Sequence, residues 1–515
     1  MPKPLSFGRF EIGLTSGSPS AEESPESELP MHILILGDFS GKASHASERP
    51  DLGERRPILV DRDNLDQVMA KVGPEFHFPM EGNKGVAIAF QELDDFHPDR
   101  IFECNEFFRT LRQQRSEMND PATFSSLTEW LRGSEQKMLE QGLAPAKPDA
   151  SGQTATDAEQ LLKQILEGTP AKDPSKDPLA PDNLMTFLQG IIGAHLAPKI
   201  DYSMQAQMVG MIDKSVGLFM RMFLHHPHFQ ALESAWRALD FLVRRVETDA
   251  NLKIYLLDVT KEELLIDLEN VANLRDSGLY HLLVDSVTGA PGAVLWGLIL
   301  GNFIFGQDRD EVEFLGRIAQ IAAKAGAPFV AAASSRVLGV DCLAENPDPR
   351  KWHPDEDPEG NAAWDTLRRL PAAANLGLML PRFLLRLPYG KETNSTEQFE
   401  FKEAGEGFGH ENYLWGNPAF ICGCLLGQTY ARYGWGFRLG VFQDIEGLPL
   451  HVYEDQGDRE VKPCAEVLLT ERALEPILEK GLMPLVSFQE RDAVRLANFQ
   501  SLALPAKPLA GRWNS

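Results

Sequence analysis

Leu252–Val259 reads LKIYLLDV, and Thr260-Lys261-Glu262-Glu263 follows it directly. Leu252, Ile254 and Leu256 alternate with Lys253 and Tyr255, the period-2 pattern of a strand. Thr260 and Glu263 have capping-box spacing: the threonine side chain can take the third helical N–H while the glutamate reaches back to the threonine N–H. A strand that hands over to a capped helix is the repeating step of an α/β fold. The same alternation continues to about Leu485, with strands expected at Phe329–Ser334, Leu376–Leu380 and Arg438–Phe442. Upstream, Phe229, Leu232, Trp236, Leu239 and Val243 form one helical stripe. Leu184, Phe187, Leu188, Ile191, Ile192 and Leu196 form another, with Asp182 as its cap. Residues 182–500 are thus expected to be a large α/β domain, and the sequence shows no internal repeat.

A smaller α+β domain is expected over 31–118. His32–Gly37 (HILILG) is a short apolar run, read as a buried strand, and Gly85–Phe90 (GVAIAF) is a second strand candidate. Leu65, Val68 and Met69 have helical spacing, and Phe96-His97-Pro98 opens a helix with Ile101, Phe102, Phe107, Phe108 and Leu111. The overall class is mixed α/β. Residues 1–30 contain SGSPSAEESPESELP, too poor in apolar side chains to pack, and are expected to be a flexible arm. Within them, Ser6–Leu14 alternates enough to pair as a strand. Residues 119–181 end in GTPAKDPSKDPLAPD and read as a linker with short helices. One of these, Asp157–Glu167, sets Ala158, Leu161, Leu162, Ile165 and Leu166 on one face with no neighbouring core, a stripe that asks for a partner. Residues 501–515 form a tail.

The chain has 515 residues, 43% of them hydrophobic, and a formal charge of −25 with no block of Lys and Arg. Two or more packed cores are expected, and nucleic acid is not an expected partner. The first twenty residues lack the charged-then-apolar order of a secretory signal. The longest apolar stretch, Ala293–Gly306, is too short to span a bilayer and contains Asn302, so no membrane insertion is expected. Five scattered cysteines suit reduced thiols and a cytoplasmic location.

The sequence offers few places for catalysis. Gly37-Asp-Phe-Ser-Gly41-Lys42 follows a strand and ends in Gly-Lys, but a P-loop needs four residues between its glycines and a hydroxyl after the lysine. Here three residues intervene, and Ala43 follows, so the segment reads as a turn. His225-His226-Pro227-His228 lacks metal-ligand spacing and reads as a helix start. Cys422-x-Cys424 sits in AFICGCLLG and reads as buried small residues. Ser334-Ser335 lacks the Gly-x-Ser-x-Gly elbow. Asp94-Asp95 and Glu262-Glu263 read as solvated faces or helix starts. No catalytic residue, cofactor or metal is expected, and the chain is not expected to be an enzyme.

The wording of the sequence is more specific than its periodicity. His225-His-Pro-His-Phe-Gln230, Leu232-Glu233, Trp236-Arg237 and Leu239 resemble the signature of the large contractile-sheath subunit of the type VI secretion system, the TssC, VipB, ImpC or EvpB family. In the same order follow Asn251–Ile254, Lys261–Leu264, Ala327-Pro-Phe329, Ala331–Ser334, Leu380-Pro-Arg-Phe-Leu-Leu-Arg-Leu-Pro-Tyr-Gly390, Tyr413-Leu-Trp-Gly-Asn417, Tyr433-Gly-Trp435 and Glu446–Pro449. Gly37–Gly41, Val60–Asn64, Val68–Lys71 and Leu93–Pro98 are similar to the small subunit, TssB, VipA or ImpB. The two resemblances cover most of residues 30–500. They imply a phage-tail-sheath-like fold and a structural protein that works by assembly around the Hcp tube. Its implied partners are sheath subunits, the baseplate and the AAA+ ATPase ClpV. The resemblance also offers the Leu161, Leu162, Ile165 and Leu166 face a meaning as a ClpV-binding helix, the alternative being a helix that packs on its own protein or fills the linker. It marks His226, Pro227, Trp236, Arg237, Pro381, Arg382, Arg386, Tyr413, Trp415 and Asn417 as fold-defining. His226, Pro227, Trp236 and Arg237 are read as helix start and core. Arg382 and Arg386 are read as arginines paired to carboxylates, and Tyr413–Asn417 as a turn into a helix.

Against the family pattern, the sequence stops at Gly511-Arg-Trp-Asn-Ser515, where the large subunit is expected to continue. Two roles stay open at this point: a sheath protomer with its two subunits fused, or a sheath-derived accessory that caps, nucleates or regulates the sheath or baseplate.

Overall fold

The computed structural model describes residues 5–10, 30–44, 51–78, 86–120, 202–285, 295–353, 357–405, 408–455 and 458–514. The amino-terminal part supplies β1 (Met31–Gly37), β2 (Ile58–Val60), α1 (Leu65–Val72), β3 (Glu75–Phe78), β4 (Val86–Ala89), α2 (Pro98–Cys104) and α3 (Arg109–Asn119). Next come α4 (Tyr202–Leu224), α5 (Pro227–Arg245), β5 (Leu252–Asp258), α6 (Lys261–Glu269), β6 (Trp296–Phe305), α7 (Arg309–Ala325), β7 (Phe329–Ala333) and α8 (Pro358–Arg368). They are followed by β8 (Leu376–Leu380), β9 (Phe383–Leu384), β10 (Trp415–Gly416), α9 (Ala419–Tyr433) and β11 (Asp444–Ile445). The chain ends with β12 (His451–Asp455), β13 (Asp458–Lys462), α10 (Glu471–Glu479), β14 (Met483–Ser487) and β15 (Val494–Leu496).

Nine strands form one sheet in the order β11-β15-β14-β8-β7-β6-β1-β5-β2. The six from β14 to β5 are parallel, while β15 at one end and β2 at the other pair antiparallel with their neighbours. Parallel strands are buried on both faces and read as unbroken apolar runs. β1 is such a strand: all seven of its residues are buried. It lies between β5 and β6, with Met31 opposite Leu252 and Gly37 opposite Asp258. Apart from the two-stranded β3–β4 sheet, the strands of the described amino-terminal residues join the large sheet, and β1 is an interior strand of it. Met31, Ile33 and Ile35 pack into the layer built on α5 and α9, and Leu34 and Leu36 into the layer built on α6 and α7. The result is a three-layer α/β/α body whose two cores each take side chains from both sequence segments.

Local signals acted as their chemistry dictates. The Thr260 hydroxyl accepts from the Glu263 N–H at 3.1 Å, and Glu263 accepts from the Thr260 N–H at 2.9 Å. All five residues of the Phe229–Val243 stripe are buried. Two expectations are corrected. Arg438–Phe442 is a turn, with Gly440 at φ +83°, and the strand starts only at Asp444. Residues 5–10, expected in a flexible arm, are docked: the Leu274 N–H donates to the Arg9 carbonyl at 3.0 Å, and Arg317 donates to the Ser6 carbonyl. Arg9 forms a single bridge with Asn273.

Candidate functional site

The Gly37–Lys42 loop leaves the sheet at the carboxyl end of β1, where α/β proteins commonly bind phosphates. Its N–H groups are already taken by carboxylates of the same chain. Asp258, at the end of β5, accepts from the Phe39 and Ser40 N–H groups at 2.8 and 3.1 Å. Asp38 accepts from the Lys42 and Ala43 N–H groups at 2.9 and 2.7 Å. Gly41 has φ +76°, and a Cβ there would lie 2.2 Å from the Glu75 carbonyl oxygen, so both the turn and the close approach require glycine. The Lys42 ammonium bonds Glu263 at 2.8 Å, beside Arg55, whose guanidinium takes the same carboxylate at 2.6 and 3.1 Å. The Arg55 and Lys42 bonds outweigh burial and hold the Glu263 carboxyl down at about 2. The loop is a joint between the two sequence segments.

Trp236 completes this joint, its indole N–H donating to the Phe39 carbonyl at 2.7 Å in a fully buried contact. This bond links the Gly-Asp-Phe-Ser-Gly stretch to the Trp-Arg stretch of α5. His226 caps α5, accepting from the His228 N–H, and Pro227 fills the first helical position, where no N–H is needed. The His226 ring lies 5.1 and 5.6 Å from Phe76 and Phe78 of β3.

One turn along α5, Glu233 is completely buried and bonded to two arginines. Arg237 Nε donates at 2.7 Å, and Arg386 donates through two nitrogens at 2.8 and 3.1 Å. The other side of Arg386 holds Glu403 at 2.8 and 3.3 Å, and its plane lies 4.1 Å from the Tyr389 ring centre. Arg237 donates to the Tyr389 hydroxyl at 3.0 Å, the Tyr389 N–H donates to Glu403 at 2.7 Å, and His225 Nε2 lies 3.4 Å from Glu403. Two carboxylates meet two guanidiniums, so the cluster closes electrically. Burial alone would raise both carboxyls, yet the arginines hold them below the usual carboxylate range, while burial pushes the Tyr389 phenol up to about 12.

A second cluster lies around Arg382, which directly follows Pro381. Its backbone N–H and Nε donate to Glu466 at 2.7 and 2.8 Å, and His410 Nε2 lies 3.2 Å from the same carboxylate. Burial pushes the Glu466 carboxyl up, but His410 and Arg382 prevail and hold it at about 2. Nearby, the Trp415 indole donates to the His410 carbonyl at 2.9 Å, and the Ser234 hydroxyl donates to the Trp415 carbonyl at 2.8 Å. The Tyr413 hydroxyl lies 2.8 Å from His451 Nδ1. Asn417 donates to the Gly301 and Phe303 carbonyls and accepts from the Ala419 N–H, which sets α9 against β6. Cys422 and Cys424 are fully buried in α9, where burial raises both thiols, Cys422 to about 12.

Of the residues singled out by sequence, Trp236 and Arg237 share α5 with the cap residues His226 and Pro227, Arg237 and Arg386 meet at Glu233, and Arg382, Tyr413, Trp415 and Asn417 cluster around β9 and β10. Leu161, Leu162, Ile165 and Leu166 lie outside the described residues. Of the counter-charges, Glu403 and Glu466 were not singled out, and Glu233 stood only within the quoted Leu232-Glu233 stretch. Only Glu233 carried a sequence signal, four residues before Arg237 on one helix. Further ties cross between the segments: Arg115 to Asp213 at 2.6 and 3.2 Å, and Asp99 to the Glu397 and Gln398 N–H groups at 2.8 and 3.0 Å.

The motif residues tie elements together inside one α/β body, and known families match both of its sequence segments. Residues 206–503 match the family model described as "EvpB/VC_A0108, tail sheath N-terminal domain", and residues 12–141 match "Type VI secretion system, VipA, VC_A0107 or Hcp2". The chain belongs to the EvpB/VipB tail sheath family and carries a VipA-like segment ahead of it on the same polypeptide. It is 33% identical over 306 residues to the type VI secretion system sheath protein TssC1 of Pseudomonas aeruginosa, covering 58% of this chain and 61% of that protein. It is 24% identical over 103 residues to the sheath protein TssB1 of the same organism, covering 19% of this chain and 59% of that protein. The chain thus spans about three fifths of the length of each of these relatives.

Proposed function

We propose that the chain is a structural component of a type VI contractile tail sheath, a small and a large sheath subunit delivered as one prefolded block. The observation that carries this reading is β1. A strand from the TssB-like segment is inserted between β5 and β6 of the TssC-like segment in the large sheet, so the fused block is one folding unit. Covalent linkage raises the effective concentration of one part for the other to roughly millimolar. In this reading the block assembles with TssB- and TssC-type subunits around an Hcp tube, above a baseplate, in the cytoplasm, and needs no catalytic residue. Among the described residues no helix is long and apolar enough to cross a membrane. Contracted blocks would be recycled by ClpV through Leu161, Leu162, Ile165 and Leu166. The residues marked as fold-defining would hold the block in shape.

Negative-stain electron microscopy of the purified chain, alone and mixed with separate sheath subunits, tests the proposal. Tubes or stacked rings containing the chain are expected. Binding confined to one end of tubes made by other subunits would overturn the protomer reading in favour of an accessory. Retention on immobilised ClpV should fall in Leu161→Asp; unchanged retention removes the recycling part and leaves the rest intact.

A further inference from the structure

We propose that Cys342, His410 and Glu411 form a binding site for a borderline-soft divalent metal ion, with zinc as the natural occupant. Cys342 lies in the loop that follows β7, and His410 and Glu411 lie just before β10. One donor atom from each falls within 4.8 Å of the other two. Bonds of 2.0–2.3 Å in a tetrahedral zinc site set donors about 3.3–3.8 Å apart, so a closure of about 1 Å completes the site. Glu411 is exposed and Cys342 half-buried in a loop, so both have room to move.

The orientation of His410 is the independent observation. Lys462 Nζ lies 3.0 Å from His410 Nδ1, and an ammonium can only donate, so the Nδ1 lone pair points at Lys462. The proton therefore sits on Nε2, 3.2 Å from Glu466. Nε2 also lies 3.9 Å from Glu411, and a carboxylate that holds one nitrogen of a histidine is the outer-shell arrangement that orients metal ligands. The lone pair it aims is met by the protein's own cation. Lys462 reaches His410 on a long flexible stem, so a dication can displace it. Sulfur, imidazole and carboxylate together favour zinc over magnesium or calcium. The bound ion would staple the loop after β7 to the segment just before β10. Sequence spacing conceals the site because Cys342 is remote from His410 along the chain.

Cobalt titration of the full chain, kept reduced with a phosphine, tests this. A single equivalent is expected to give a thiolate-to-cobalt charge-transfer band that zinc bleaches. Cys342→Ser and His410→Ala should lose the band, while Cys104→Ser, which alters an exposed cysteine in α2, should keep it. Glu466→Gln should weaken cobalt binding by about ten- to a hundredfold, and Lys462→Met should tighten it. Absence of the band from the unmodified chain, its survival in Cys342→Ser, or its loss in Cys104→Ser overturns the proposal. Should His410→Ala fail to fold, Lys462→Met decides: affinity that is unchanged or weaker also overturns it.

Discussion

Strand β1 is sealed from water and the carboxylates of the Arg386 cluster are buried, yet the two are opposite kinds of interior. Around β1 the side chains are Met31, Ile33, Leu34, Ile35 and Leu36, and every ladder bond goes to β5 or β6. Around Arg386 stand two buried carboxylates, a buried phenol and two partly buried guanidiniums. Burial of the first set stabilises at about 1.5–3 kcal/mol for each large side chain, without regard to direction. Burial of the second set costs desolvation that only accurate pairing offsets. The apolar region therefore explains why the amino-terminal segment belongs in this sheet. The charged region fixes how the loop carrying Arg386, Tyr389 and Glu403 meets α5.

The sharpest way to break the apolar region is Ile35→Asp, which buries an unpaired carboxylate between two helical layers. Loss of cooperative folding by circular dichroism is expected, and Ile35→Ala should still cost about 2–5 kcal/mol in denaturant unfolding. Arg386→Met leaves Glu233 and Glu403 short of countercharge and should cost about 3–5 kcal/mol. The contrast between the two regions becomes measurable in Glu233→Leu combined with Arg386→Leu. That pair should cost less than the sum of its singles by about 0.5–3 kcal/mol, whereas Ile35→Ala with a distant apolar truncation such as Leu268→Ala should be additive.

The same contrast governs what the sequence could reveal. Apolar runs and caps are local, so β1, β5, α5 and the Thr260 box were legible from a few consecutive residues. The family words also pointed to Arg382 and Arg386 as paired arginines. Their partners, Glu466 on the one hand and Glu233 with Glu403 on the other, were not legible as such: helical spacing points Glu233 to Arg237 alone, and a carboxylate in a chain with 75 acidic residues carries no mark of a distant partner. Nor could local pattern tell that β1 slots between β5 and β6, since a self-contained α+β unit and a shared sheet have the same strand signature. Arg438–Phe442 shows the converse: an apolar pattern read as a strand became a turn because Gly440 takes a left-handed conformation.

Acid should separate the regions by a smaller margin. The Glu466 carboxyl is held at about 2 against an ordinary 4.5. Its folded-state pKa is depressed, so its contribution is present above about 4.5 and is lost as pH falls toward 2. At about 1.36 kcal/mol per unit, up to about 3 kcal/mol is at stake. The stability of the whole chain should therefore fall over that window, and Glu466→Gln should flatten part of the slope while Ile35→Ala lowers the curve without changing its shape. The smallest effect belongs at the surface. Arg350 pairs with Asp348 at 2.6 Å, geometry as good as any in the Arg386 cluster, but the Arg350 side chain is 80% exposed. Water screens the pair and charges little for its loss. Arg350→Ala should leave the unfolding midpoint unmoved within error. A clear drop would mean that pairing geometry, rather than burial, sets the worth of an ion pair in this molecule, and the distinction between its two interiors would then lose its physical basis.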